Sequence, residues 1–171
     1  MLFPILLTER LKLRRLEETD IEEIFLLRSD AYINKYLARQ PSKTSKDALV
    51  FIKKIIENDN LYYWAITQKN NGKLIGTICL FNFDNETKKC EIGYELLTEY
   101  QGQGFMLEAM KKVINYSSQV LQSKIIEAFT HKDNQASTRI LKRFSFLKAE
   151  IVSETEPNII LYKLVKASPN S

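Results

Sequence analysis

One histidine and two cysteines in 171 residues are too few to build a metal site. Cys79 and Cys90 both fall in segments that read as strands. They are therefore expected to be buried, reduced thiols of a cytoplasmic protein rather than a disulfide. No stretch approaches the ~18 apolar residues of a membrane helix. The apolar start, Met1 to Leu7, is too short for a signal core and has no basic leader. No run of five basic residues occurs, and aromatic residues do not interleave with basic ones. The net charge of +4, from 25 basic and 21 acidic residues, suits an anionic ligand without implying nucleic acid. With five glycines and four prolines there is no linker, repeat or low-complexity tract. The chain is expected to form one domain over residues 1–171, with its core at about 8–165 and a disordered tail after Lys166.

Hydrophobic periodicity supplies the elements. Leu11 to Leu16 alternates as a first strand. Thr19 with Glu22 spells a capping box for a helix running to about Leu27. Thr44, Ser45 and Asp47 open a second helix, with Ala48, Ile52, Ile55 and Ile56 on one face. Residues 61–68 and 74–83 read as strands joined at Asn70-Asn71-Gly72, and 89–97 as the next strand. A helix from about residue 105 carries Met106, Met110, Val113, Ile114, Ser117 and Leu121 in a stripe, with Glu108 and Lys112 spaced to pair. Residues 125–130 form a strand, followed by a helix capped near Asp133 or Asn134, and two strands at 147–153 and 158–164 close the chain. Mid-chain strands with helices on both sides imply an α+β, three-layer α/β/α domain with about seven strands.

Two of the scarce glycines stand one residue apart in Gln101-Gly102-Gln103-Gly104, where a strand turns into a helix. Free N–H groups and the helix dipole gather at such a junction, and both suit phosphate oxygens. The nucleotide P-loop and the dinucleotide fingerprint do not match it. By itself the pair is read either as a structural turn or as an anion cradle.

The run Gln101-x-x-Gly104 followed by Glu108-Ala109 resembles the coenzyme A pyrophosphate loop of the GNAT N-acetyltransferase superfamily. Thr8 to Arg14, Trp64 to Ile66, Gly72 to Gly76, Glu91 to Tyr94, and Asn134 with Ser137 resemble the RimJ/RimL-like ribosomal-protein N-terminal branch, in its order. The resemblance implies the GNAT acyl-CoA N-acyltransferase fold with a mixed, mostly antiparallel sheet. It also implies direct acetyl transfer from acetyl-CoA to a primary amine, on a protein N-terminus or a small molecule, by a monomer or homodimer. On that basis the backbone of Gln101, Gly102, Gln103, Gly104, Phe105 and Met106 would cradle the pyrophosphate. Leu96, Leu97 and Thr98 would pair with the pantetheine amides beside a splayed strand, the splay expected at a bulge. Asn134 would hold the pantetheine arm and Ser137 the departing sulfur. The chain departs from the family pattern at Met106 (usually Gly or Ala), Ser145 (usually Gly) and Leu141, where many members carry a tyrosine acid. Those departures keep a non-catalytic acyl-CoA-binding domain open as an alternative, beside a polyamine or antibiotic acetyltransferase.

The residues themselves suggest a base. Glu91, Gly93 and Glu95 share one strand face, and Gly93 would leave room beside Glu91 for substrate or water. Glu91 is the leading candidate and Glu95 the second; each could equally be a salt-bridged strand residue. Asn134 could equally be an N-cap and Ser137 a first-turn residue. His131 is the one histidine, in a loop position that argues little. Trp64 and Tyr94 read as core residues ahead of substrate-stacking ones. Lys132, Arg139, Lys142, Arg143 and Lys148 gather near the last helix, either as a solvated face or near the coenzyme's 3′-phosphate. Cys90, opposite Glu91 in parity, is the nearest thiol.

Overall fold

The computed structural model describes residues 3–149 and 156–166. Its strands are β1 (Leu6–Leu7), β2 (Leu11–Arg15), β3 (Tyr62–Gln68), β4 (Leu74–Asp84), β5 (Lys89–Leu96), β6 (Ile125–His131), β7 (Leu147–Lys148) and β8 (Ile159–Val165). The helices are α1 (Ile21–Ser29), α2 (Ala31–Asn34), α3 (Ser45–Ile56), α4 (Phe105–Gln119) and α5 (Gln135–Arg143). The eight strands form one sheet in the order β1-β2-β3-β4-β5-β6-β8-β7. Every neighbouring pair is antiparallel except β5–β6. This is the expected α+β sandwich, with one strand more than periodicity found: Leu6–Leu7 is too short to show an alternation. Of the strand expected at 147–153, Leu147–Lys148 is seen and 150–153 lie outside the described residues, as does the tail from 167.

Two apolar cores explain the layering. On one face Trp64, Ile78, Ile92 and Ile126 pack against Met106, Met110 and Val113 of α4 and Leu141 of α5. On the other, Tyr63, Ala65 and Leu97 meet Ile24 and Leu27 of α1 with Ala48 and Ile52 of α3. Met106 is buried in the first core, so its long side chain turns away from the glycine loop. Among the described residues no helix is long and apolar enough to cross a membrane.

Several local devices differ from their sequence reading. Thr19 caps nothing: Asp20 accepts from the Glu17 N–H at 2.8 Å and binds Arg14 through both carboxylate oxygens, at 2.7 and 2.9 Å. A buried carboxylate that locks strand to helix outcompetes the simpler cap. Thr44 does cap α3, accepting from the Asp47 N–H at 3.3 Å. Ser145 adopts φ +63°, the left-handed end of α5, at a cost on the order of 1 kcal/mol for a non-glycine.

Strands β4 and β5 approach so closely at Gly76 that an added Cβ would run into the Glu95 carbonyl oxygen and stand 2.7 Å from Leu96 Cδ1. The obstruction is backbone, which cannot rotate aside. Gly76→Ala is accordingly expected to destabilise the fold by about 1–3 kcal/mol. Urea titration checks this, and an unchanged midpoint would contradict the close approach.

Candidate active site

The parallel pairing of β5 with β6 runs through Lys89–Ile125, Cys90–Ile126 and Glu91–Glu127, and then stops. β6 continues alongside β8 to His131, while β5 stays with β4 to Leu96. The two strands therefore diverge beyond Glu91 and open a slot inside the sheet. A register break accompanies it, on β4 between Phe81 and Asp84, opposite Lys89–Glu91 of β5 where the last β5–β6 pairs lie. Asn82, inside that break at φ +49°, is the residue that reaches Glu91. Bulges raise local twist, and beyond this point each strand stays with its outer neighbour.

Backbone groups along the slot are unequally free. Leu97 spends its N–H on Ile75 O and its carbonyl on the Tyr100 N–H, both at 2.9 Å. By alternation, Tyr94 and Leu96 turn their backbone groups toward the slot. The Leu96 carbonyl accepts from Gln101 Nε2 at 3.0 Å. The Thr98 carbonyl accepts from the Gln101 N–H at 3.2 Å. Of the three residues expected to pair along the slot, Leu97 has its backbone spent elsewhere, while Leu96 turns its N–H toward the slot. Gln101 adds a side-chain strut from the loop to the slot's edge.

At the mouth of the slot the chain enters α4 through two left-handed glycines, Gly102 at φ +74° and Gly104 at φ +82°. From Gly102 to Leu107, no backbone N–H has an acceptor among the described residues. An added Cβ at Gly102 would meet nothing within 4 Å. Six unpaired N–H groups at a helix start, beside open space, form a cradle for a large anion.

Three carboxylates of β5 and β6 stand on the α1–α3 face, and their surroundings differ. Glu95 is buried and bound to Arg39 Nη2 at 2.6 Å; Arg39 Nε also donates to Asn34 Oδ1 at 2.6 Å. Glu127 is buried between Lys89 and Lys163, at 3.2 and 3.0 Å. Glu91 is partly exposed, has no ion pair among the described residues, and accepts only from Asn82 Nδ2 at 2.9 Å. Glu91 also belongs to the last β5–β6 pair, at the apex of the slot. Gly93 leaves less room beside it than parity suggested, because an added Cβ would stand 3.2 Å from Cys79 Sγ.

Across the sheet, Ser137 Oγ lies 2.8 Å from Tyr94 Oη. Burial pushes the Tyr94 phenol up to about 12, against a smaller opposing pull from Ser137. The Asn134 side chain accepts from the Ser137 N–H at 3.1 Å, so it is the N-cap of α5. Tyr94 escaped the sequence reading because tyrosine in a strand ordinarily means core. The missing clue was that its strand edge faces α5 across the slot. His131 stacks on Tyr36, with ring centroids 5.1 Å apart, and its Nδ1 accepts from the Asp133 N–H at 3.2 Å. Lys132, Arg139, Lys142, Arg143 and Lys148 are exposed. Trp64 is fully buried, donating to the Pro4 carbonyl at 2.8 Å.

Neither cysteine suits a nucleophile. Burial, with the charge of Glu95, pushes the Cys79 thiol up to about 12, and burial also raises Cys90. Cys90 lies beneath α4, 3.4 Å from Ser117 Oγ. Both thiols should resist an aromatic disulfide reagent at pH 8 in the folded protein and react on denaturation. Fast modification of native Cys90 would contradict this.

The model of the acetyltransferase (GNAT) domain matches residues 10–146. The uncharacterized N-acetyltransferase YoaA of Bacillus subtilis is 30% identical over 156 residues, 90% of this chain and 88% of that protein. The crystal structure of a GNAT-family acetyltransferase from Bacillus anthracis superposes with TM-score 0.84 at 20% identity, over 95% of this chain and 98% of the other. RimL, a ribosomal L7/L12 alpha-N-protein acetyltransferase solved in complex with coenzyme A, superposes with TM-score 0.82 at 18% identity, over 95% and 98%.

Proposed function

The chain belongs to the acetyltransferase (GNAT) family, and from that premise we propose that it transfers acetyl from acetyl-CoA directly to a single primary amine, with Glu91 as base. The observation that carries this is Glu91 itself, the one carboxylate of β5 and β6 on this face that is free of a cation among the described residues, at the apex of the slot. Acetyl-CoA supplies the acetyl group as a thioester, activated toward amines.

The coenzyme's needs fit the residues present. The N–H groups of Gly102 to Leu107 would hold the pyrophosphate, with Gln101 bracing the loop. The Leu96 N–H would take a pantetheine amide. The side-chain amide N–H groups of Asn134 remain for the same arm, since capping uses its oxygen. The opening between β5 and β6 leads from this loop to the α1–α3 face, where Tyr36 reaches across to His131. An amine arriving on that face meets Glu91, which accepts its proton directly or through water. Tyr94, its phenol raised by burial, keeps its hydrogen at neutral pH, and in this reading it is the donor of the pair with Ser137. The Ser137 hydroxyl then has its own hydrogen to offer the departing sulfur. Leu141 carries no proton, so this pair stands where a helix tyrosine acid is missing.

Electrostatics also narrows the acceptor. A polyamine needs several unneutralised carboxylates, whereas Glu95 and Glu127 are already bound by Arg39, Lys89 and Lys163. A monoamine, such as a protein N-terminus or a small-molecule amine, fits one free carboxylate. The free thiols of Cys79 and Cys90 suit a reducing, cytoplasmic setting.

Glu91→Gln should lower kcat by about 10²–10⁴-fold, the scale of a lost general base. Coenzyme A affinity should be unchanged, read by thiol release and by calorimetry. Full activity in this variant would remove Glu91 from the chemistry. Tyr94→Phe and Ser137→Ala should each cost about tenfold in kcat and be non-additive when combined. Spermidine should be turned over more slowly than a peptide N-terminus in the same assay; the reverse order would return the polyamine reading.

A further inference from the structure

Helix α4 presents an electrostatic problem that its sequence does not advertise. Glu108 stands in its first turn, so a carboxylate lies beside the N–H groups that would receive a doubly charged pyrophosphate. Spacing pairs Glu108 with Lys112, but its partners come from the β1–β2 turn instead. Thr8 Oγ1 donates to Glu108 Oε1, the Arg10 N–H to the same oxygen at 2.8 Å, and Arg10 Nε to Oε2 at 2.7 Å. Burial pushes the Glu108 carboxyl up, but these donors outweigh it and hold it below the ordinary range.

The Arg10 guanidinium makes two further contacts and borders Gly104. Nη1 donates to the Gln103 carbonyl at 3.1 Å, which gives one loop oxygen a cationic partner. The group lies over the Phe105 ring, 4.3 Å from its centroid. Nη2 stands 3.4 Å from where a Cβ on Gly104 would be. The turn carrying Arg10 is itself fixed, because its carbonyl accepts from the Lys69 N–H at 2.9 Å. One side chain thus neutralises the acidic residue, holds the loop carbonyl and packs on the first helical residue.

We propose that Arg10 is the positioning residue of the coenzyme loop: with Thr8 it cancels the charge of Glu108 and fixes Gln103, so that the N–H groups of Gly102 to Leu107 meet an anion in an uncontested field. This rests on the reading of the loop as the pyrophosphate site. It assigns Arg10 no contact with the coenzyme, and the two roles separate in a charge cycle.

The test is calorimetric titration of the full chain with coenzyme A, comparing wild type with Arg10→Met, Glu108→Gln and the double variant at low and moderate salt. Arg10→Met leaves Glu108 uncancelled and should weaken binding about tenfold, the effect of one added charge a few ångströms away in a partly screened medium. That deficit should shrink as salt rises, which a purely structural defect would not do. Glu108→Gln should bind as well as wild type or better, and the double variant should recover most of the loss. A double variant as weak as Arg10→Met would overturn the proposal, since removing the Glu108 charge would then restore nothing. An unchanged Arg10→Met would overturn it too. If Arg10→Met does not fold, Glu108→Gln carries the test, since a loss of affinity there contradicts the charge argument. Wild type that fails to bind coenzyme A would instead sink the acetyltransferase reading of the loop.

Discussion

Everything at the candidate site depends on where two parallel strands stop pairing. β5 and β6 share three residue pairs, ending at Glu91 and Glu127, and then follow different neighbours. An interior sheet edge left open in this way is normally a liability, because N–H and C=O groups go without partners. Here it has compensating geometry on every side. Leu96 faces it with a free N–H, Gln101 spans from its carbonyl to the glycine loop, and α5 brings Asn134 and Ser137 to its far wall. In the proposed reaction the two sides of this divergence have separate tasks, with the coenzyme on the α4–α5 side and the amine on the α1–α3 side.

Charge placement then assigns roles that chemistry alone leaves open. Sequence placed Glu91 and Glu95 on one strand face, with Glu91 the leading base and Glu95 the second, and burial with Arg39 commits Glu95 to holding the segment after α2 onto the sheet. A buried carboxylate with so close a partner is costly to disturb and poorly placed to accept a proton. Glu91, beside Asn82 and free of cations among the described residues, keeps that capacity. The same logic is proposed at the loop, where Arg10 and Thr8 hold Glu108 in the first turn of α4.

Much of this was legible from residue order. Alternation found seven of the strands, Thr44 announced α3, and the glycine pair marked the strand-to-helix turn with the left-handed φ values it adopts. The α4 stripe placed Met106 in the core, as its length required. What stayed hidden were contacts between residues far apart in the chain. Glu108 meets Arg10 rather than Lys112 because a hairpin turn ninety-eight positions earlier reaches it first. Tyr94 meets Ser137 because β5 turns its edge toward α5, a relation no local pattern encodes. The backbone of Leu97 looked as free as that of Leu96 until the neighbouring strand claimed it. Periodicity reports which face a residue occupies and is silent on which partner waits there.

The most direct measurement is a crystal structure of the protein with coenzyme A bound. The expected result has the pantetheine arm between β5 and β6, one of its amides on the Leu96 N–H. The pyrophosphate should lie on the N–H groups from Gly102 onward, and the thiol should end within reach of Ser137 on the approach to Glu91. Coenzyme bound elsewhere, or β5 and β6 closed together with the thiol remote from Glu91, would contradict the assignment of this slot as the catalytic centre.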